Sequence, residues 1–67
     1  MQILINGKPR SFEVTQFSVA TLVETLDLVG KRLAIECNGE IVPRSQFEST
    51  LLIDGDKLEI VGAVGGG

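Results

Sequence analysis

The chain contains no histidine, no tryptophan, no tyrosine and a single cysteine, and its only aromatics are three phenylalanines. Each shortage narrows the function. Without histidine, the commonest general base and the commonest neutral metal ligand are gone. The lone Cys37 cannot form an internal disulfide, which fits a reducing, cytoplasmic setting. Nucleic-acid binding combines a basic patch with stacking rings. Here the net charge is −3, and Lys8, Arg10, Lys31, Arg32, Arg44 and Lys57 are scattered, so no nucleic-acid partner is expected. No apolar run approaches the ~20 residues of a membrane-spanning helix. The first residues show no basic stretch followed by a long apolar one. Neither a membrane partner nor a signal peptide is expected.

What is present suits one small domain. The 67 residues are 43% hydrophobic, enough for a core. A chain of this length buries roughly 60% of its unfolded surface on folding. Residues 1–5 read as a strand, with Met1, Ile3 and Ile5 alternating with Gln2 and Leu4. Asn6-Gly7 is a hairpin signal, since a type I′ turn needs positive φ at both central residues. Pro9 cannot donate to a ladder, so the returning strand is expected at an edge or starting after it. Phe12 and Val14 would face one way along that strand, making residues 1–15 a hairpin. Ser18 is a good helix N-cap, although Thr21 stands where a capping box would carry Glu. Phe17 and Leu22 occupy the positions of a hydrophobic staple. Val19, Leu22, Val23 and Leu26 keep the spacing of one buried face. These signals predict a helix over 19–29, ended by Gly30 in the left-handed conformation.

Residues 33–38 read as a third strand, with Leu33, Ile35 and Cys37 on one face, followed by an Asn38-Gly39 turn. Residues 40–42 form a short extended piece that Pro43 stops, and 44–48 an irregular or single-turn segment. Residues 51–53 are a brief strand or buried connection, and Asp54-Gly55-Asp56 is a turn. The last strand runs over 57–63, with Leu58 and Ile60 toward the core and Glu59 and Val61 opposite. One apolar helix face and one apolar sheet face predict a two-layer α+β domain.

The residues offer little chemistry of their own. Cys37 lies in an apolar alternating strand and reads as an inert core thiol. Asp54 and Asp56 supply too few oxygens for a calcium loop. The glycines of 62–67 precede no helix and no Lys-Ser/Thr pair, so they are not a phosphate loop. No catalytic, cofactor-binding or metal residue is assigned. Val64-Gly65-Gly66-Gly67 then stands out. It reads either as a frayed end or as a tether with a carboxylate at its tip. Extended, residues 63–67 reach roughly 16–18 Å, narrow enough to thread a tunnel-like site in another protein. A carboxylate is a poor electrophile at neutral pH. It would need activation, for instance as an acyl-adenylate, by an enzyme that uses ATP.

Several stretches together resemble the ubiquitin-like β-grasp sulfur carriers, and among these most closely the sulfur carriers of thiamine biosynthesis. They are Met1-Gln2-Ile3-Leu4-Ile5-Asn6-Gly7, Ser18-Val19, Asn38-Gly39-Glu40-Ile41-Val42-Pro43-Arg44, Asp54-Gly55-Asp56 and the closing Gly66-Gly67. The resemblance spans the chain. It implies a mixed four- to five-stranded sheet packed on one helix, with a β-grasp domain over 1–63 and a flexible tail over 64–67. It implies a carrier rather than an enzyme. The Gly67 carboxylate would be adenylated by an E1-like adenylating enzyme and converted to a thiocarboxylate by a cysteine-desulfurase-derived sulfur source. Thiazole synthase would accept the sulfur. No cofactor would be bound by the carrier itself, ATP being used by the activating enzyme. Gly65 and Gly66 would serve tail recognition. Related carriers dock through the sheet face opposite the helix, where alternation places Leu4 and Val61. A ubiquitin-like protein modifier and the small subunit of molybdopterin synthase share the same tail logic and stay open as alternatives.

Overall fold

The computed structural model describes residues 1–62. Seven strands and one helix follow in the order β1 (Gln2–Ile5), β2 (Lys8–Ser11), β3 (Gln16–Ser18), α1 (Val19–Thr25), β4 (Leu33–Cys37), β5 (Glu40–Val42), β6 (Leu51–Ile53) and β7 (Lys57–Gly62). A single 3-10 turn, Arg44–Gln46, lies between β5 and β6. The main sheet has five strands in the order β2-β1-β7-β4-β5, and β3 pairs with β6 in a separate two-stranded sheet. The last strand therefore lies at the centre, parallel to β1 and antiparallel to β4. This is the mixed five-stranded form of the expected α+β fold.

Both Asn-Gly pairs form the turns their chemistry calls for. Asn6 and Gly7 have φ of 53° and 82°, and Asn38 and Gly39 have 53° and 89°, as a type I′ turn demands. Pro9 falls inside β2, opposite Leu4, but β2 is an edge strand, so its missing N–H breaks no inner ladder. The hairpin is shorter than expected. It ends at Ser11, and Val14 is exposed instead of facing inward with Phe12. Phe12 turns back to the core and packs against Phe17, ring centroids 4.9 Å apart.

Strand β3 has no counterpart among the elements expected from the sequence. Its three residues, Gln16-Phe17-Ser18, are too few for their alternation to signal a strand, and they become one because Phe17 pairs with Leu52, far along the chain. That pairing also sets up the helix. Val19 N–H donates to the Thr50 carbonyl, Ala20 N–H to the Phe47 carbonyl, and Thr21 N–H to Ser18 Oγ at 3.0 Å. Three of the four orphan donors of the first turn are thereby satisfied.

Helix α1 stops at Thr25, well short of residue 29. Gly30 is not its terminator. Asp27 takes the left-handed position, φ 60°, its N–H donating to the Glu24 carbonyl and Leu28 N–H to the Val23 carbonyl. These two bonds are the Schellman arrangement. Leu28 then folds back onto the core, and Gly30, φ 84°, serves a following turn closed by Lys31 N–H to the Leu28 carbonyl. The core is Val19, Leu22 and Val23 from α1, Ile3, Ile35, Val42 and Leu58 from the main sheet, and Leu52 from the smaller one.

Candidate functional site

The expected covalent site, Gly67, and the tail residues Gly65 and Gly66 lie outside the described residues, as does the boundary between a domain over 1–63 and a tail over 64–67. The structure describes what leads to them. Strand β7 is held by β4 up to the register pair Leu33 and Gly62. On its other side the β1 ladder ends early. Leu4 N–H donates to the Asp56 carbonyl and Asn6 N–H to the Leu58 carbonyl, and there the chain turns away. The Asn6 side chain takes the next place. Its Oδ1 accepts from Ile60 N–H at 2.7 Å, and its Nδ2 donates to the Ile60 carbonyl at 3.0 Å.

The start of β7 is braced in a similar way. Asn38 Oδ1 accepts from Lys57 N–H at 3.0 Å, and its Nδ2 donates to Asp56 Oδ1 at 3.1 Å. The aspartates of the 54–56 turn are used as acceptors for the backbone: Gln2 N–H donates to Asp54 Oδ1 at 2.6 Å and Ile53 N–H to Asp56 Oδ2 at 3.0 Å. Sequence reasoning identified the Asn-Gly pairs only as turns. Their amides' grip on β7 depends on a partner strand some fifty residues away in the case of Asn6, and carries no local signal.

Leu4 and Val61 do share the face opposite the helix. Leu4 aligns with Lys57, and Val61 follows four residues later on the same side of β7. That separates them by about 13 Å along the strand, so they are not neighbours. Leu4 is half-buried, while Val61 is 56% exposed. Val61 sits opposite the exposed Ala34, and Ile41, 70% exposed, sits opposite Glu36 on the neighbouring strand. Between them Glu36 and Glu59 face each other directly across β4 and β7. Two carboxylates in cross-strand register repel. On this face Ala34 and Val61 flank the glutamate pair on the tail side, Ile41 lies beyond Glu36, and Lys57 precedes Glu59 on the same side of β7. Sequence alternation found Val61, but Ala34, Ile41 and the glutamate pair needed the register.

Cys37 is half-buried on the core side of β4. Burial pushes its thiol above the usual range, and the charges of Asp56 and Glu40 push it the same way. A raised thiol holds less thiolate, the opposite of what an attacking sulfur requires. Asn38 Nδ2 also approaches its Sγ at 3.6 Å.

One helix clasped by a mixed five-stranded sheet, with the strand that leads to the tail at its centre, defines the ubiquitin-like β-grasp class of protein. The ThiS family model matches residues 3–67. The chain belongs to the ThiS family, the sulfur carriers of thiamine biosynthesis. It is 32% identical over 63 residues to the sulfur carrier protein ThiS of Bacillus subtilis, covering 94% of this chain and 96% of that one. It is 42% identical over 67 residues to a thiazole synthase of Paramagnetospirillum magneticum, where the whole of this chain spans only 20% of the relative's length. The crystal structure of the thiamine biosynthesis protein ThiS from Geobacter metallireducens superposes with a TM-score of 0.89 at 32% identity, covering 100% of both chains. Among the described residues no helix is long and apolar enough to cross a membrane.

Proposed function

We propose that this chain is the covalent sulfur carrier for thiazole formation in thiamine biosynthesis, a co-substrate of partner enzymes rather than a catalyst. The observation that carries the reading is the placing of β7. The strand that feeds residues 63–67 is central and braced on both sides, so a rigid handle presents a glycine arm. Membership of the ThiS family supports the same reading. In this scheme residues 1–63 are the handle and 64–67 the arm.

The Gly67 carboxylate oxygen attacks the α-phosphorus of ATP held by an E1-like adenylating enzyme, and pyrophosphate leaves. The acyl-adenylate carbonyl is then open to sulfur. A sulfur atom from a cysteine-derived persulfide, brought to the level of sulfide by a thiol, displaces AMP and leaves a thiocarboxylate. Gly65 and Gly66 supply the narrow, unbranched approach that a tunnel-like site admits. Thiazole synthase takes the sulfur. A relative carrying that name contains a stretch similar to this entire chain, which supports the partnership. The chemistry belongs in a reducing cytoplasm, where thiols persist. Docking uses the face of Ala34, Ile41 and Val61, whose glutamate pair suits a basic surface on the activating enzyme, with Leu4 at its margin.

Intact-mass analysis after incubation with the activating enzyme, ATP and a sulfur source tests the proposal. The expected product has one oxygen of Gly67 replaced by sulfur, and deleting Gly67 abolishes it. Conjugates to protein lysines would mark a modifier instead. Transfer of sulfur to a pterin but not to a thiazole would mark the molybdopterin alternative.

A further inference from the structure

We infer that Asn6 is a positioning residue for the reaction at the tail, acting through β7. The inference rests on the carrier reading above and goes beyond it. The β1 ladder reaches only Leu58, because the chain must turn at Asn6-Gly7. The Asn6 carboxamide then acts as one more peptide unit. It offers an acceptor at 2.7 Å to Ile60 N–H and a donor at 3.0 Å to the Ile60 carbonyl. The lateral hold on β7 is thereby extended by two residues toward the tail. Past Ile60, Val61 and Gly62 keep only the register with Ala34 and Leu33 of β4. The Asn6 clamp is the last hydrogen bond on that side among the described residues.

The residue type is selective. A type I′ turn accepts Asn, Asp or Gly at its first central position. Of these, only Asn carries both a donor and an acceptor on one planar group. Glycine would make the same turn and leave Ile60 unclamped. Aspartate would keep the acceptor and set a second carboxylate oxygen against the Ile60 carbonyl.

The consequence for the reaction is geometric. A partner that docks on the sheet face holds the handle, and the reacting carboxylate lies at the end of a short arm. Where β7 stops being held sets where that arm begins. Small misplacements far from the reacting atoms cost large factors in rate. Loosening β7 at Ile60 lets the root of the arm wander, which lowers the fraction of docked complexes with the tail in reactive position. Docking is affected less, since Ala34, Glu36 and Ile41 are carried by β4 and β5, which Asn6 does not touch.

The test compares wild type, Asn6→Gly and Asn6→Asp by amide hydrogen exchange and by tail adenylation with the activating enzyme. In Asn6→Gly, the Ile60 amide should exchange about tenfold faster or more, while the buried Ile35 amide stays protected. The kcat for adenylation should fall by about tenfold, with a clearly smaller change in KM for the carrier. Asn6→Asp should fall between. A general loss of fold would expose Ile35 as well and change docking, so the KM and kcat split separates positioning from stability. Wild-type kcat in Asn6→Gly, with faster Ile60 exchange, overturns the inference alone. A wild-type chain that is never adenylated removes the carrier reading and this inference with it.

Discussion

Cys37 shows how one residue's setting decides its chemistry. Alternation along 33–38 puts it on the apolar side, and it is half-buried there, beside Asp56 and Glu40. Burial, then those two charges, raises its pKa above the ordinary 9.0. The unfolded chain therefore loses this proton first as the pH rises. Below the unfolded value both states are protonated, and the thiol makes no pH-dependent difference. Above about pH 9 the unfolded state is favoured progressively, until the folded thiol also ionises. Urea denaturation should show stability falling with pH above that value, and the fall should be shallower in Cys37→Ala. Superimposable alkaline profiles for the two proteins would remove this account. The inertness of Cys37 was legible from its place in the strand. Of the carboxylates that reinforce it, Glu40 comes opposite through the Asn38-Gly39 turn, whereas Asp56 of the 54–56 turn is brought near only by folding.

At the scale of elements, the end of α1 is the instructive case. Apolar spacing continues through Leu26 and Leu28, and Gly30 offers the usual stop, so the pattern points to a longer helix. The chain stops earlier because Leu28 gains burial by folding back as the residue after a left-handed Asp27. That choice is a competition between one more helical turn and a core contact, and local pattern does not weigh the second. Asp27→Val should cost about 1–2 kcal/mol in chemical denaturation, because a β-branched residue fits poorly at positive φ. A helix running on to Gly30 would make the same change nearly neutral, since Asp and Val have similar helix propensities. Strand β3 illustrates the same limit. Its partner β6 lies beyond the helix and two strands, so nothing within residues 16–18 announces it.

At the scale of the molecule, the sheet presents two unlike faces. One buries Ile3, Ile35, Val42 and Leu58 against α1. The other carries Glu36 and Glu59 in direct register, with Ala34 and Val61 beside them toward the tail, Ile41 beyond Glu36, and Lys57 before Glu59. A like-charge cross-strand pair lowers stability, so Glu59→Gln should raise it by a few tenths to about 1 kcal/mol. The same change should slow association with the activating enzyme and flatten its dependence on salt, because long-range attraction to a basic surface is weakened. Stopped-flow association at several ionic strengths measures this. A salt dependence identical to wild type would take the glutamate pair out of the docking surface.

Local pattern suffices for the fold class, the two Asn-Gly turns, the Ser18 cap, the buried face of the helix and the outward side of Val61. All of these follow from short-range rules: alternation, helical spacing and the φ that particular residues tolerate. The sequence's resemblance to known carriers points to Gly67. Long-range pairing settles that β7 is central, that β3 exists, that Asp27 ends the helix, and that Glu36 meets Glu59. It alone settles that Asn6 grips Ile60. Each of these depends on which distant segment arrives alongside, and on the burial or hydrogen bond gained there. That free energy belongs to pairs of residues far apart in the chain, so no local pattern records it.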